Sequence, residues 1–110
     1  MELPSPPPEP LVEFIAARFK VLSEPMRIRI LDRLRDGERS VGELVEELGT
    51  SQQNISRHLA TMHRDGVLGR RREGNRVVYW IADPAVFELC EHVCASFQRH
   101  VDELQRVVNA

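Results

Sequence analysis

Two cysteines, Cys90 and Cys94, are all that the 110 residues contain, too few for a disulfide scaffold. No run approaches the ~20 apolar residues of a membrane span. The opening "MELPSPPPEP" is proline-rich and acidic, without the apolar centre of a signal peptide. Catalytic signatures are missing too: there is no Gly-rich phosphate loop, no nucleophile motif and no helical His-Glu-x-x-His. These absences disfavour an enzyme, a membrane protein or a secreted module. They leave a cytoplasmic protein with reduced thiols and no membrane partner as the expectation. Internal repeats are absent, and residues 51–64 contain no acid.

A chain of this length fits one small domain with a modest core, which gains stability from a partner subunit. Its net charge of −2 conceals an asymmetry. Residues 50–76 hold six arginines against Asp65 and Glu73, a local balance of +4, and the remainder sums to −6. A basic middle within an acidic chain suggests a localised contact with a polyanion.

Residues 1–10 include five prolines and are expected to form a disordered or extended lead-in, with the folded domain spanning residues 11–110. Leu11, Phe14, Ile15, Phe19 and Leu22 then recur at helical spacing. Ser23 or Glu24 can cap a second helix with Pro25 in its first turn, burying Ile28, Leu31 and Leu34 and stopping near Gly37. Ser40 and Glu43 have the spacing of a capping box that opens a short helix with Val41, Leu44, Val45 and Leu48 on one face, ending at Gly49. Thr50 or Ser51 caps the next helix, which stops before Gly66. "VLGRRREGNRVVYWIA" changes to β-branched and aromatic residues around a polar turn, a β-hairpin signal. Asp83-Pro84 opens a last helix to about Val108. The expected fold is mostly α with a β-hairpin wing, in the order α-α-α-α-β-β-α.

About three residues separate the third and fourth helices, the length of a helix-turn-helix corner whose second helix enters the major groove. At ~100° per residue, Ile55, Leu59 and Met62 share a narrow docking face. The opposite face carries Gln53, Arg57, Ala60 and Arg64, flanked by Asn54 and Ser56, with Ser51 and Gln52 at the helix start. Arginine forks to guanine, Gln and Asn bridge adenine, and Ser reaches either. An ordinary solvated helix would mix Glu with Lys for i,i+4 pairs. A protein-docking helix would be apolar on this side, and such a helix does not suit the narrow groove of A-form RNA. The hairpin adds Arg70, Arg71, Arg72, Asn75 and Arg76 near its tip, expected to project together onto the DNA backbone or into a minor groove. Leu68, Val78 and Trp80 are the expected packed face, with Tyr79 nearer the rim. His58 and His63 flank the docking face and suit structural hydrogen bonding better than base contact.

"FKVLSEPMRIRILDRL" and "SVGELVEELGTSQQNISRHLATMHRDGVLGRRREGNRVVYWI", with the terminal helix, resemble the ArsR/SmtB (arsenic-repressor) family of winged helix-turn-helix regulators over roughly residues 11–108. The resemblance implies a homodimeric repressor joined through its first and last helices, bound to a palindromic double-stranded operator and released by an effector, often a thiophilic metal ion. It also implies where metal sites would fall. The family's Cys-Val-Cys position reads Ser40-Val41-Gly42 here, without a thiol. Its last-helix site reads Asp83-Pro84-Ala85 with Ser96 and Arg99, lacking the histidines.

The terminal helix has its own pattern. Val86, Cys90, Val93, Phe97, His100, Leu104 and Val107 alternate in steps of four and three, a seam able to pack against its twin. Phe87, Cys94, Val101 and Val108 widen it, so both thiols are expected to face the interface rather than solvent. One turn apart, their Cβ atoms stand about 5–6 Å from each other, beyond the ~3.5–4.5 Å of a disulfide. Three roles stay open. The thiols can be apolar packing, or a metal or metalloid site with His92, His100 or the partner's residues. They can also form a redox or reactive-sulfur switch. No cofactor is required; a thiophilic ion is a possible effector.

Overall fold

The computed structural model describes residues 1–110. Five helices and three strands follow one another as α1 (Glu9–Val21), α2 (Pro25–Arg35), β1 (Arg39–Ser40), α3 (Val41–Leu48), α4 (Gln52–Arg64), β2 (Leu68–Glu73), β3 (Arg76–Ile81) and α5 (Ala85–Asn109). The element order matches the expectation except for β1. Two residues are too short to announce themselves in sequence, yet they pair antiparallel with β3 and make a three-stranded sheet in the order β1-β3-β2. The lead-in is also shorter than its prolines suggest. Helix α1 starts at Glu9 with Pro10 in its first turn, where the missing N–H has no partner to lose.

Local signals explain the remaining boundaries. Ser40 Oγ accepts the Glu43 N–H at 3.2 Å while Glu43 Oε1 accepts the Ser40 N–H at 2.9 Å, closing the capping box of α3. Gly49 ends that helix at φ 65°, a left-handed conformation that costs glycine nothing. Ser51 is the cap of α4, its hydroxyl accepting the Asn54 N–H at 3.1 Å. Glu73 and Arg76 face each other across a two-residue turn whose first residue, Gly74, has φ 60°.

One core of twelve buried residues joins these pieces. Leu44 of α3, Ile55, Leu59 and Met62 of α4, Leu68 and Tyr79 of the wing, Val21 of α1 and Val86 of α5 all belong to it. In α2 the buried residues are Arg27, Ile30, Leu31 and Leu34; Ile28, expected inside, is exposed. The wing is covered on both faces near its base: Leu68 and Val78 are buried as expected, and so is Tyr79, expected nearer the rim. Tyr79, with Leu68, Val77 and Ile81, packs on the core, whereas Trp80 is only partly buried and Val78 is buried outside that cluster. Five successive residues, Val77 to Ile81, are apolar, so alternation could not choose a face.

Helix α5 leaves the domain. Val86 is buried in the core rather than on the seam, but Val93, Phe97, Leu104, Val107 and Val108 are exposed along the distal part. No helix is long and apolar enough to cross a membrane.

Candidate nucleic-acid interface

Helix α4 is pinned on three sides. Ile55, Leu59 and Met62 are wholly buried beneath it, as their spacing predicts. His58 is buried as well, and its Nδ1 accepts the Nε–H of Arg27 from α2 at 3.1 Å. At the C-terminal end, Arg18 of α1 donates to the Asp65 carbonyl at 2.6 Å and to Asp83 Oδ2 at 3.2 Å, tying that end to the start of α5. A cation there complements the negative end of the helix. Neither Arg18 nor Arg27 stood out in the sequence, since their partners lie 47, 65 and 31 residues away.

The outer side of α4 stays open. Ser51, Gln52, Gln53, Arg57, Ala60 and Arg64 are exposed, and Asn54 and Ser56 are half-exposed. Arg57 is steadied from below: its guanidinium donates to Asn54 Oδ1 at 2.9 Å, and Asn54 donates through Nδ2 to Thr50 Oγ1 at 3.2 Å. A chain of short polar contacts thus holds one guanidinium outward with donors to spare. Arg64 is exposed beside Asp65 at 3.6 Å. His63 is half-buried at the edge.

The wing arginines do not project together. Register places Arg70 opposite Tyr79 and Arg72 opposite Val77, on the face turned toward the core; Arg71 lies opposite Val78, on the other face. Arg71 donates to both carboxylate oxygens of Glu38, at 2.6 and 2.8 Å, and pairs with Glu73. Arg76 reaches Glu43 Oε1 at 3.3 Å. The Arg71 guanidinium holds the Glu38 carboxyl below its usual range, and the Ser40 backbone N–H does the same to Glu43. Asn75, at the tip, is exposed.

A helix-turn-helix with an exposed polar second helix and a flanking β-wing is now complete, and comparison with known proteins agrees with it. Residues 24–68 match the pattern described as bacterial regulatory protein, arsR family. The chain is 45% identical over 82 residues to the HTH-type transcriptional regulator Rv0081 of Mycobacterium tuberculosis, covering 74% of this chain and 72% of that one. This chain belongs to the arsR family of bacterial regulators. The crystal structure of Rv0081 superposes with a TM-score of 0.74 at 39% identity, covering 87% and 97% of the two chains. A homodimeric winged helix-turn-helix DNA-binding domain from Mycobacterium bovis gives 0.72 at 31% identity, covering 84% and 86%. A probable mercury resistance operon repressor of Streptomyces lividans is 34% identical over 88 residues, covering 80% and 67%. The arsR family and these relatives are transcriptional regulators, not enzymes.

The arsR-type metal positions carry no ligand set here. Ser40 Oγ is engaged in the capping box, and no group of three or more His, Cys, Asp or Glu is placed to hold a metal ion within one chain. Cys90 and Cys94 are free thiols; in the single chain Cys90 is half-buried and Cys94 is exposed on α5. His92 and His100 are exposed and complete no cluster with them.

Proposed function

We propose that this chain represses transcription as a homodimer, placing α4 of each copy in adjacent major grooves of a palindromic operator, and that chemistry at Cys90 and Cys94 releases it. One observation carries the DNA-binding part. The apolar side of α4 is wholly buried, whereas its Gln53, Arg57, Ala60 and Arg64 side is open and free of carboxylates from other elements. The exposed α5 seam supports the dimer, because a surface carrying Val93, Phe97, Leu104 and Val107 is matched by a second copy of itself.

The position of both thiols on α5, where it leaves the domain, supports this reading, because a change there would alter the separation of the two α4 helices. Half-sites about 34–36 Å apart tolerate little such change. Burial pushes the Cys90 thiol above its ordinary pKa, which favours its protonated, less nucleophilic form. A peroxide would oxidise the pair to a disulfide as its O–O bond breaks and the two thiol protons leave with its oxygens as water. A persulfide would do so as its S–S bond breaks to give a thiol and hydrogen sulfide, in either case with some helix distortion. A thiophilic ion would find two thiols in one chain, enough for a two-coordinate ion, and would draw any further ligand from the partner. The name of the mercury-resistance relative supports including mercuric ion in the test.

The test is fluorescence anisotropy on an operator duplex selected from a random-sequence library. Wild type is compared with the Cys90→Ser/Cys94→Ser variant when reduced, peroxide-treated, persulfide-treated or given thiophilic ions. Equal DNA affinity of the two proteins, with release only in wild type, is the expected result. Release of the double variant by the same agents would return both thiols to packing.

A further inference from the structure

The two faces of the wing carry arginines in different electrostatic states. On one face, Arg71 donates to Glu38 through both terminal nitrogens, also pairs with Glu73, and lies 5.5 Å over the Trp80 ring. Arg76 reaches Glu43 on the same oxygen that accepts the Ser40 N–H. Neither Glu38 nor Glu43 belongs to the wing: Glu38 lies between α2 and β1, and Glu43 in the first turn of α3. On the other face, Arg70 and Arg72 have no carboxylate partner, and the Arg70 guanidinium meets only the Tyr79 hydroxyl at 3.5 Å. That second face also carries Leu68, Val77, Tyr79 and Ile81, which pack on the core shared with α4.

We propose that Glu38 withholds Arg71 from the phosphate backbone, so that the wing meets DNA through Arg70 and Arg72 while Arg71 acts as a positioning residue. The inference rests on the DNA-binding reading above. A lone exposed ion pair would be too weak to compete with DNA. Here one guanidinium is held at once by two carboxylates and an indole face, and its pair with Glu38 is bidentate. An arginine neutralised in this way releases no counterion from DNA, and the attached carboxylate repels the backbone. The carboxylate thereby lowers affinity for DNA of any sequence, while the base-reading side of α4 is untouched. Specificity improves because the indiscriminate part of binding is reduced.

The test measures affinity for a labelled duplex of mixed sequence from about 50 to 200 mM salt. Glu38→Gln should bind several-fold tighter than wild type, with a salt slope steeper by up to about one, since Glu73 still pairs with Arg71. Arg70→Gln and Arg72→Gln should each flatten the slope by about one, and Arg71→Gln should leave it unchanged. In the Arg71→Gln background, Glu38→Gln should gain nothing, since the arginine it would free is gone. A gain of function cannot arise from misfolding, and Glu43 is left intact because it also closes the α3 capping box. The proposal is overturned if Glu38→Gln binds no tighter than wild type, or if its gain persists without Arg71, which would make the carboxylate a bulk charge. It is equally overturned if Arg71→Gln flattens the slope as Arg70→Gln does. A wild-type protein that binds no duplex at all sinks the DNA-binding reading together with this one, whereas the other failures sink this one alone.

Discussion

Arg27 on α2 and His58 on α4 are buried against each other, with the arginine Nε–H donated to the imidazole Nδ1 at 3.1 Å. A ring nitrogen that accepts cannot carry a proton, so the contact exists only for neutral His58. Burial lowers the His58 pKa below its ordinary 6.5, and the positive charges of Arg57 and Arg27 lower it further; Glu24 opposes them more weakly. The recognition helix is therefore docked through a group that resists protonation.

Stability should consequently fall as pH drops through about 6.5, because the unfolded chain takes up a proton at His58 that the folded chain refuses. The contribution is fully present above that pH. Glu38 and Glu43, whose pKa values are depressed, contribute above the ordinary carboxylate value of 4.5 and lose their share only below it. Urea unfolding at about pH 7.5 and about pH 5.5 thus isolates the histidine. His58→Gln, which keeps an acceptor for Arg27, should flatten the difference; an unchanged pH dependence in that variant would remove His58 from the account.

Arg57 stands outward at the middle of α4, steadied by Asn54. Arg57→Ala should weaken operator binding by about 1–3 kcal/mol and relax the preference at one base pair per half-site. Binding to selected and scrambled duplexes measures both effects. Equal loss on the two duplexes would make Arg57 a phosphate contact instead.

Gly69 allows Trp80 to lie flat across β2. A Cβ at residue 69 would stand 2.4 Å from Trp80 Cε2 and Nε1, far inside contact distance. Gly69→Ala should therefore displace the indole that supports Arg71 and lower stability by about 1–3 kcal/mol. Thermal melting and indole fluorescence read the two consequences. A variant with native melting and emission would show that Trp80 moves aside freely.

Phe97 and Leu104 lie exposed on the distal half of α5, 65% and 54% accessible in the single chain. Phe97→Glu with Leu104→Glu should convert a dimer to monomers in sedimentation equilibrium. Operator affinity should fall with it, since half-sites are then bound one at a time. A variant that still sediments as a dimer would place the interface elsewhere.

Much of the recognition module could be read directly from the chain. The capping box of Ser40 and Glu43, the left-handed stop at Gly49, the Ser51 cap and the buried triad of Ile55, Leu59 and Met62 all follow from interactions within one or two helical turns. Such signals are local, so the sequence by itself determined the helix-turn-helix and which side of α4 stays polar. Tertiary structure alone decided the rest. The run from Val77 to Ile81 is apolar on both faces of its strand, and only packing on the α4 core selected Tyr79 over Trp80. That choice sent Arg71 to the side where Glu38 waits, 33 residues away in the chain, and left Arg70 and Arg72 without a carboxylate. Pairings such as Arg27 with His58 or Arg18 with Asp83 likewise exist only after folding closes the loops between them. Short-range order is set by bond geometry and capping, whereas long-range partners are set by which surfaces the shared core brings together.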